Sequence, residues 1–178
     1  MFYNYFMKLF TRYINSANNR VDNKKRAEIL GYGGRGIQIA PGASVRINKP
    51  GGIGTNSFIG LYSYVNGAVT IGDNVWIGPS CSLTAGHHKF DPETGWFSAR
   101  TNTVEGSHDE IVIGDGTWIA SGVIVTAGVS VGKANLICAN AVVTKSTPDY
   151  AIVAGTPARV MGYIDKDTGE HIWEGKGK

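Results

Sequence analysis

The feature that most constrains this chain is an aliphatic residue that recurs every six positions. A six-residue period matches neither an amphipathic helix nor an alternating strand, but it fits a β-helix in which each side of a coil points one aliphatic side chain inward. A small residue follows most of them and leaves room for a tight corner. The repeat therefore predicts an all-β, parallel β-helix. The recurring residues are Ile53, Ile59, Val65, Ile71, Ile77, Leu83, Ile113, Ile119, Val125, Val131, Ile137 and Val143.

The rhythm also predicts the extent of the β-helix and one long loop. Three sides make a coil of about eighteen residues, and repeats from Ile39 to Val143 make about five coils within residues 37–160. The rhythm disappears over residues 86–110, yet the phase is kept, because Leu83 and Ile113 are thirty residues apart. We therefore expect an extruded loop, and binding residues concentrate on loops held by a rigid scaffold.

The two ends of the chain lack the repeat. In the N-terminal segment, 1–36, residues 2–14 have the spacing of a short amphipathic helix, and polar residues follow up to Arg26. This helix either contacts a membrane surface or covers the β-helix or a neighbouring subunit. The second reading is favoured, because only two cations accompany its aromatic residues. The C-terminal tail, 161–178, fits either a strand or a helix that caps the last coil.

Composition excludes several classes of protein. At 178 residues and 42% hydrophobic, the chain is one domain with a substantial core. The net charge is only +3 and the basic residues are spread, which argues against nucleic-acid binding but suits a small anionic ligand. Cys81 and Cys138 lie at repeat positions, so we expect free thiols in a reducing compartment. With no signal peptide or transmembrane segment in evidence, we expect a cytoplasmic protein.

Five motifs carry a family resemblance over about residues 37–160: 71–78, 86–87, 118–121, 142–145 and 155–158. With them the chain resembles the left-handed β-helix acyltransferases, and among these the galactoside, maltose and capsular-polysaccharide or lipopolysaccharide O-acetyltransferases. The resemblance implies a left-handed parallel β-helix, a homotrimer and acetyl-CoA as co-substrate, with no metal.

A loop histidine is the predicted general base. Transfer of an acetyl group to an alcohol needs a base to take the hydroxyl proton, and imidazole suits this because its ordinary pKa is about 6.5. The polysaccharide enzymes of the family have a histidine, three residues and Asp-Pro, which matches His87 with Asp91 and Pro92. Some maltose enzymes have two intervening residues, which would select His88.

The resemblance also implies residues on the acceptor side. Asp91 orients the imidazole, contacts the acceptor or caps the loop turn, and His88 lies beside the acceptor. Asn66 resembles an asparagine near the acceptor hydroxyl; the alternative is a coil-corner asparagine in a left-handed conformation. Trp96 and Phe97 either stack on a sugar or pack on the β-helix.

On the donor side, Trp118 resembles the family's active-site tryptophan beside the acetyl group. Trp76 occupies the same repeat position in another coil, and the alternative for Trp76 is that it packs in a subunit interface. The backbone amide of Ser121 would face the thioester oxygen and stabilise the oxyanion. Residues that would bind coenzyme A, with the two cations on its phosphates, are Ala139, Thr144, Lys145 and Arg159.

The predicted function is therefore direct acetyl transfer from acetyl-CoA to a sugar hydroxyl. A surface-polysaccharide or lipopolysaccharide precursor is the favoured acceptor, ahead of a free mono- or disaccharide. The alternatives are a streptogramin- or chloramphenicol-type acetyltransferase, an amino-sugar N-acetyltransferase and a non-catalytic trimeric scaffold. A zinc enzyme on this fold is disfavoured, because His87 and His88 are adjacent rather than spaced as ligands.

Overall fold

A computed structural model of the chain describes residues 22–48, 52–101 and 108–174, without the side chains of 98–101. The amphipathic helix predicted at residues 2–14 lies outside the described residues. The chain forms the left-handed parallel β-helix that the sequence predicts, with about five turns.

A short helix, α1 (Asn23–Ile29), precedes the first coil. Asp22 caps its N-terminus, with a carboxylate oxygen that accepts a hydrogen bond from the backbone N–H of Lys25 at 2.8 Å. The helix buries Ala27 beside the first strand. The sequence analysis missed this helix and treated the stretch up to Arg26 as polar, because seven residues are too few for a hydrophobic period to stand out.

Eighteen short strands follow within the described residues. In chain order they are β1 (Gln38–Ile39), β2 (Ser44–Ile47), β3 (Phe58–Ile59), β4 (Tyr64–Gly67), β5 (Val69–Ile71), β6 (Trp76–Ile77), β7 (Ser82–Thr84), β8 (His88–Asp91), β9 (Trp96–Thr101), β10 (Ile111–Ile113), β11 (Trp118–Ile119), β12 (Ile124–Thr126), β13 (Ser130–Val131), β14 (Leu136–Ile137), β15 (Val142–Val143), β16 (Ala151–Gly155), β17 (Ala158–Ile164) and β18 (His171–Trp173).

Three parallel sheets form the faces of the β-helix. The first has the order β1-β3-β6-β11-β14-β16 and is extended by the antiparallel β17 and β18. The second has the order β15-β12-β7-β4-β2 and the third β13-β10-β5. In the parallel part of each sheet a strand pairs with the strand one coil away, so residues at the same position of the six-residue repeat lie directly over one another.

The register stacks the aliphatic residues into an apolar interior. On the first sheet, Ile77 pairs with Ile119 and Ile119 with Ile137, and all three are at most 1% exposed. The preceding residues point outward in a second column, in which Trp76 pairs with Trp118. These tryptophans are 54% and 56% exposed, so the same pairing that buries the aliphatic core presents aromatic rings on the outer face.

Aspartate side chains form hydrogen bonds between the corners of neighbouring coils. A carboxylate oxygen of Asp73 accepts hydrogen bonds from the backbone N–H and the hydroxyl of Thr55, at 2.6 and 2.9 Å. Asp115 accepts one from the N–H of Asp73 at 2.8 Å, and Asp149 one from that of Lys133 at 2.9 Å. The acidic corner residues therefore satisfy backbone donors that turn outward.

The C-terminal end closes the β-helix with an antiparallel hairpin. β16 still pairs in parallel with β14, and β17 then returns along it. β18 adds a further antiparallel strand, so the tail that the sequence left open between strand and helix contains a strand.

The excursion between β7 and β10 contains the antiparallel hairpin β8–β9. Phe90 and Phe97 meet edge to face across it, with ring centroids 5.5 Å apart. Trp96 and Phe97 are 69% and 68% exposed, which leaves both rings largely uncovered rather than packed on the β-helix.

Candidate functional site

His87 lies where the chain leaves the second sheet. The last bond of the coil runs from the backbone N–H of Ala85 to the carbonyl of Asn66, at 3.0 Å. Gly86 then turns with a φ of 113°, a conformation that favours glycine, and the exposed His87 follows. The histidine therefore follows directly from a hydrogen-bonded coil edge and is exposed, so a substrate can reach it.

The closest charged partner of His87 within the described residues comes from the far end of the excursion. Its Nε2 is 3.7 Å from a carboxylate oxygen of Asp109, and the side chains are 63% and 26% exposed. The two groups are within ion-pair distance only in the sense that a protonated His87 would face this carboxylate. The sequence analysis missed Asp109, because no spacing between residues 87 and 109 marks the pair.

Asp91 stabilises the hairpin turn. One carboxylate oxygen accepts a hydrogen bond from the N–H of Glu93 at 2.9 Å, and the Asp91 carbonyl accepts one from Gly95 at 2.9 Å. The hydrogen bond from the Glu93 N–H, and after it one from the Thr94 side chain, lower the pKa of the Asp91 carboxyl below its usual range. Of the three roles considered for Asp91, this geometry matches the turn cap. His88 begins β8 and is exposed.

Asn66 lies on a strand at the base of the loop. It belongs to β4 and pairs with Arg46 on one side and Thr84 on the other. The alternative of a left-handed corner asparagine is therefore wrong at this position, because β4 holds Asn66 extended and the turn falls on Gly67, with a φ of 91°. Its half-buried side chain points outward beside the strand end that leads to His87.

Trp118, Ser121 and Ala139 lie along adjacent strands and corners. Trp118 projects outward from β11, and the chain turns after Ala120. The exposed Ser121 accepts a hydrogen bond at its carbonyl from the N–H of Asn140, at 2.9 Å, so the corner that holds Ala139 stacks directly on it. The two residues therefore form part of one exposed coil edge, along which an extended ligand can exchange backbone hydrogen bonds.

The two cations predicted to hold phosphates line one surface depression. It has a volume of about 150 Å³, and Lys145 and Arg159 lie beside it together with Ser146 and Thr147. Arg159 donates a hydrogen bond to the carbonyl of Ala158 at 2.8 Å, and Thr144 is exposed next to Lys145. Residues 145 and 159, which are well separated in sequence, thus present positive charge to one anion-sized space.

Both cysteines are free thiols. Cys81 is buried and donates a hydrogen bond to the carbonyl of Ala120 at 3.0 Å, and Cys138 is half-buried. Burial raises the pKa of both thiols, so neither is a ready thiolate nucleophile.

Residues 22–48, 52–101 and 108–174 contain no cluster of three or more histidine, cysteine, aspartate or glutamate side chains arranged to hold a metal ion. They also contain no helix with the length and apolar character to cross a membrane.

Sequence similarity to known proteins indicates the family of this chain. No family model matches it. Nodulation protein L of Rhizobium meliloti (strain 1021) is 33% identical over 133 residues, which cover 70% of this chain and 69% of that protein. Galactoside O-acetyltransferase of Escherichia coli (strain K12) is 35% identical over 128 residues, which cover 67% of this chain and 60% of that protein.

A solved structure supports the same assignment. The maltose O-acetyltransferase from Clostridium difficile 630 superimposes with a TM-score of 0.59 at 25% identity, over 87% of this chain and 86% of that one. The chain spans only part of several curated relatives that it matches, between 45% and 60% of their length. With these similarities and the repeat architecture, the chain belongs to the hexapeptide-repeat acetyltransferase family, together with the galactoside and maltose O-acetyltransferases.

Proposed function

We propose that this protein is an acetyl-CoA-dependent O-acetyltransferase that acetylates a sugar hydroxyl with His87 as general base. The observation that carries the proposal is the position of His87, exposed at the base of the extruded loop with the Asp109 carboxylate 3.7 Å from its Nε2. An imidazole in this position can take the hydroxyl proton of an acceptor, and the neighbouring carboxylate can pair with the ring once it carries that proton.

The reaction is a direct transfer. His87 takes the hydroxyl proton as the sugar oxygen attacks the thioester carbon, and the tetrahedral oxyanion then collapses, with cleavage of the carbon–sulfur bond. The imidazolium returns the proton to the departing thiolate of coenzyme A. No covalent acyl-enzyme is needed, which agrees with the burial of the Cys81 thiol.

The donor lies along the edge formed by Ser121 and Ala139. The Ser121 amide faces the thioester oxygen and stabilises the oxyanion, and Trp118 flanks the acetyl group. The pantetheine arm continues past Thr144, and Lys145 and Arg159 hold the phosphates. The proposed binding of the phosphates is supported by the position of both cations, which line one depression of about 150 Å³.

The active site is assembled between subunits of a homotrimer, where His87 of one chain meets the coenzyme bound to a neighbour. The loop base and the donor edge belong to different parts of the solenoid, which suits a site shared by two chains. Because the donor is a cytoplasmic coenzyme, the proposal places the protein in the cytoplasm.

The acceptor is a surface-polysaccharide or lipopolysaccharide precursor, with His88, Asp91 and Asn66 on the acceptor side. The sugar class is supported by relatives that are named galactoside O-acetyltransferase and by the structural neighbour named maltose O-acetyltransferase. The preference for a polysaccharide precursor over a free sugar follows from the spacing of His87 and Asp91.

The test is acetyl-CoA cleavage, followed as free thiol, against sugars, lipid-linked glycans and acetylatable antibiotics. We expect acceptor-dependent thiol release that falls by a factor of about 10² to 10⁴ in His87→Ala, with coenzyme binding by calorimetry nearly unchanged. His88→Ala is the matched comparison, since the residue is adjacent and exposed. A larger loss in His88→Ala would move the base to His88. No thiol release and no coenzyme binding would favour a non-catalytic scaffold.

A further inference from the structure

Arg46 is an exposed cation that has no role in the reaction as described so far. It lies on β2, the strand at the edge of the second sheet, next to the buried Val45. The register of the sheet places Arg46 beside Asn66 of β4, and Asn66 beside Thr84 of β7. Because residues in register on parallel strands point to the same face, these three side chains form one outward row.

This row leads to the proposed base. Three residues after Thr84, beyond the turn at Gly86, the chain presents the exposed His87. Neighbouring strands lie about 4.8 Å apart, so the Cα atoms of Arg46 and Thr84 are about 10 Å apart. One pyranose ring, with a hydrogen bond of about 2.9 Å at each end, spans a distance of this size. A hydroxyl at His87 and a charged group at Arg46 can therefore belong to the same sugar.

The charge of Arg46 is available to a ligand. Within the described part of the chain, its guanidinium makes no ion pair and no hydrogen bond. The five strands of the second sheet contain no aspartate or glutamate, and Arg46 is their only charged residue. An anion placed on this face therefore meets one cation and no carboxylate from the sheet itself.

The acids of the neighbouring elements have other partners. Asp109 faces His87 at 3.7 Å, and Glu110 accepts a hydrogen bond from a hydroxyl on β5 at 3.0 Å. On α1, the carboxylate of Glu28 pairs with the ammonium of Lys25 at 2.8 Å. None of these carboxylates pairs with the guanidinium on β2.

We propose that Arg46 selects an acidic acceptor, a hexuronic acid whose carboxylate pairs with the guanidinium while one of its hydroxyls reaches His87. The planar guanidinium presents parallel N–H donors that match the two oxygens of a carboxylate. Tyr64, which is 38% exposed and lies on the same face of β4 as Asn66, offers an aromatic surface to the sugar ring. The inference rests on the proposed function for its sugar acceptor, and it deepens that function by naming the charge of the sugar.

The test compares the methyl glycosides of glucuronic acid and glucose, which differ in one carboxylate. Both are assayed as acceptors by thiol release from acetyl-CoA, and as ligands by calorimetry without coenzyme. We expect the wild type to favour the glucuronide about tenfold in kcat/KM and in affinity. Arg46→Gln should lose this preference through the glucuronide alone, and Arg46→Lys should keep part of it, because an ammonium retains the charge without the paired donors. Lys24→Gln, which removes an exposed cation from α1, should behave like the wild type.

The two assays separate this inference from the proposed function. Thiol release at equal kcat/KM with both glycosides keeps the acetyltransferase and overturns the role of Arg46, as does an unchanged preference in Arg46→Gln. If neither glycoside supports thiol release, tighter binding of the glucuronide that Arg46→Gln abolishes still supports the subsite, and equal or absent binding overturns it. A change of mass in Arg46→Gln by light scattering also overturns it, because Arg46 would then lie in a subunit interface.

Discussion

Substitution of Gly78 by alanine tests whether the coil corners position the oxyanion donor. Gly78 lies one coil above the corner formed by Ala120 and Ser121. A Cβ at this glycine would lie 2.9 Å from both the carbonyl carbon of Ala120 and the amide nitrogen of Ser121, which are backbone atoms that cannot rotate away. Ordinary contacts begin at about 3.4 Å, so this corner must move by about 0.5 Å.

The movement has two consequences of different size. Overpacking of this kind costs about 1–3 kcal/mol of stability. A displacement of about 1 Å in an active site lowers the rate by about 10². A displacement of about 0.5 Å at the proposed oxyanion donor should therefore lower kcat by about tenfold. Gly54→Ala is the matched control, because its Cβ meets the backbone of Gly72 and Asp73 at least as closely, but at a different corner of the β-helix.

The assay combines urea unfolding with acceptor-dependent release of thiol from acetyl-CoA, below the unfolding temperature of both variants. We expect both to lose stability and Gly78→Ala alone to lose kcat. If Gly78→Ala keeps the wild-type kcat while it is destabilised like Gly54→Ala, the Ser121 amide does not stabilise the oxyanion.

Three further predictions follow from the core, the corners and the donor edge. Ile119→Ala should cost about 2–5 kcal/mol in urea unfolding, because the side chain is fully buried, whereas Ile124→Ala at a side chain 43% exposed in the same coil should cost much less. Hydrogen bonds from the N–H and then the hydroxyl of Thr55 lower the pKa of Asp73. The ionised Asp73 carboxylate therefore contributes fully to stability above about pH 4, and this contribution is lost as the pH falls through the lowered pKa. The difference in urea midpoint between wild type and Asp73→Asn should accordingly disappear in acid. A difference that stays constant with pH would contradict this. Lys145→Ala and Arg159→Ala should raise KM for acetyl-CoA several-fold with little change in kcat, and this effect should shrink with the 3′-dephospho coenzyme; equal effects on both coenzymes would remove these cations from the phosphate site.

The sequence by itself determined the architecture, because a six-residue period is a local property. Each repeat supplies its own inward side chain and its own corner, so the columns of Ile77, Ile119 and Ile137 are implied before any contact is known. The same regularity revealed the excursion, since a loop that leaves a solenoid has to return in phase. The helix α1 escaped detection because it is short and has no repeat.

Tertiary structure alone decided which polar groups meet. Asp109 approaches His87 because the excursion leaves and re-enters the solenoid at neighbouring points, and Lys145 approaches Arg159 because the chain reverses after β16. Trp118 and the turn between β17 and β18 line one cleft of about 340 Å³ because the C-terminal hairpin continues the first sheet. These contacts join residues that are distant in sequence, and no local period encodes the path that brings such residues together.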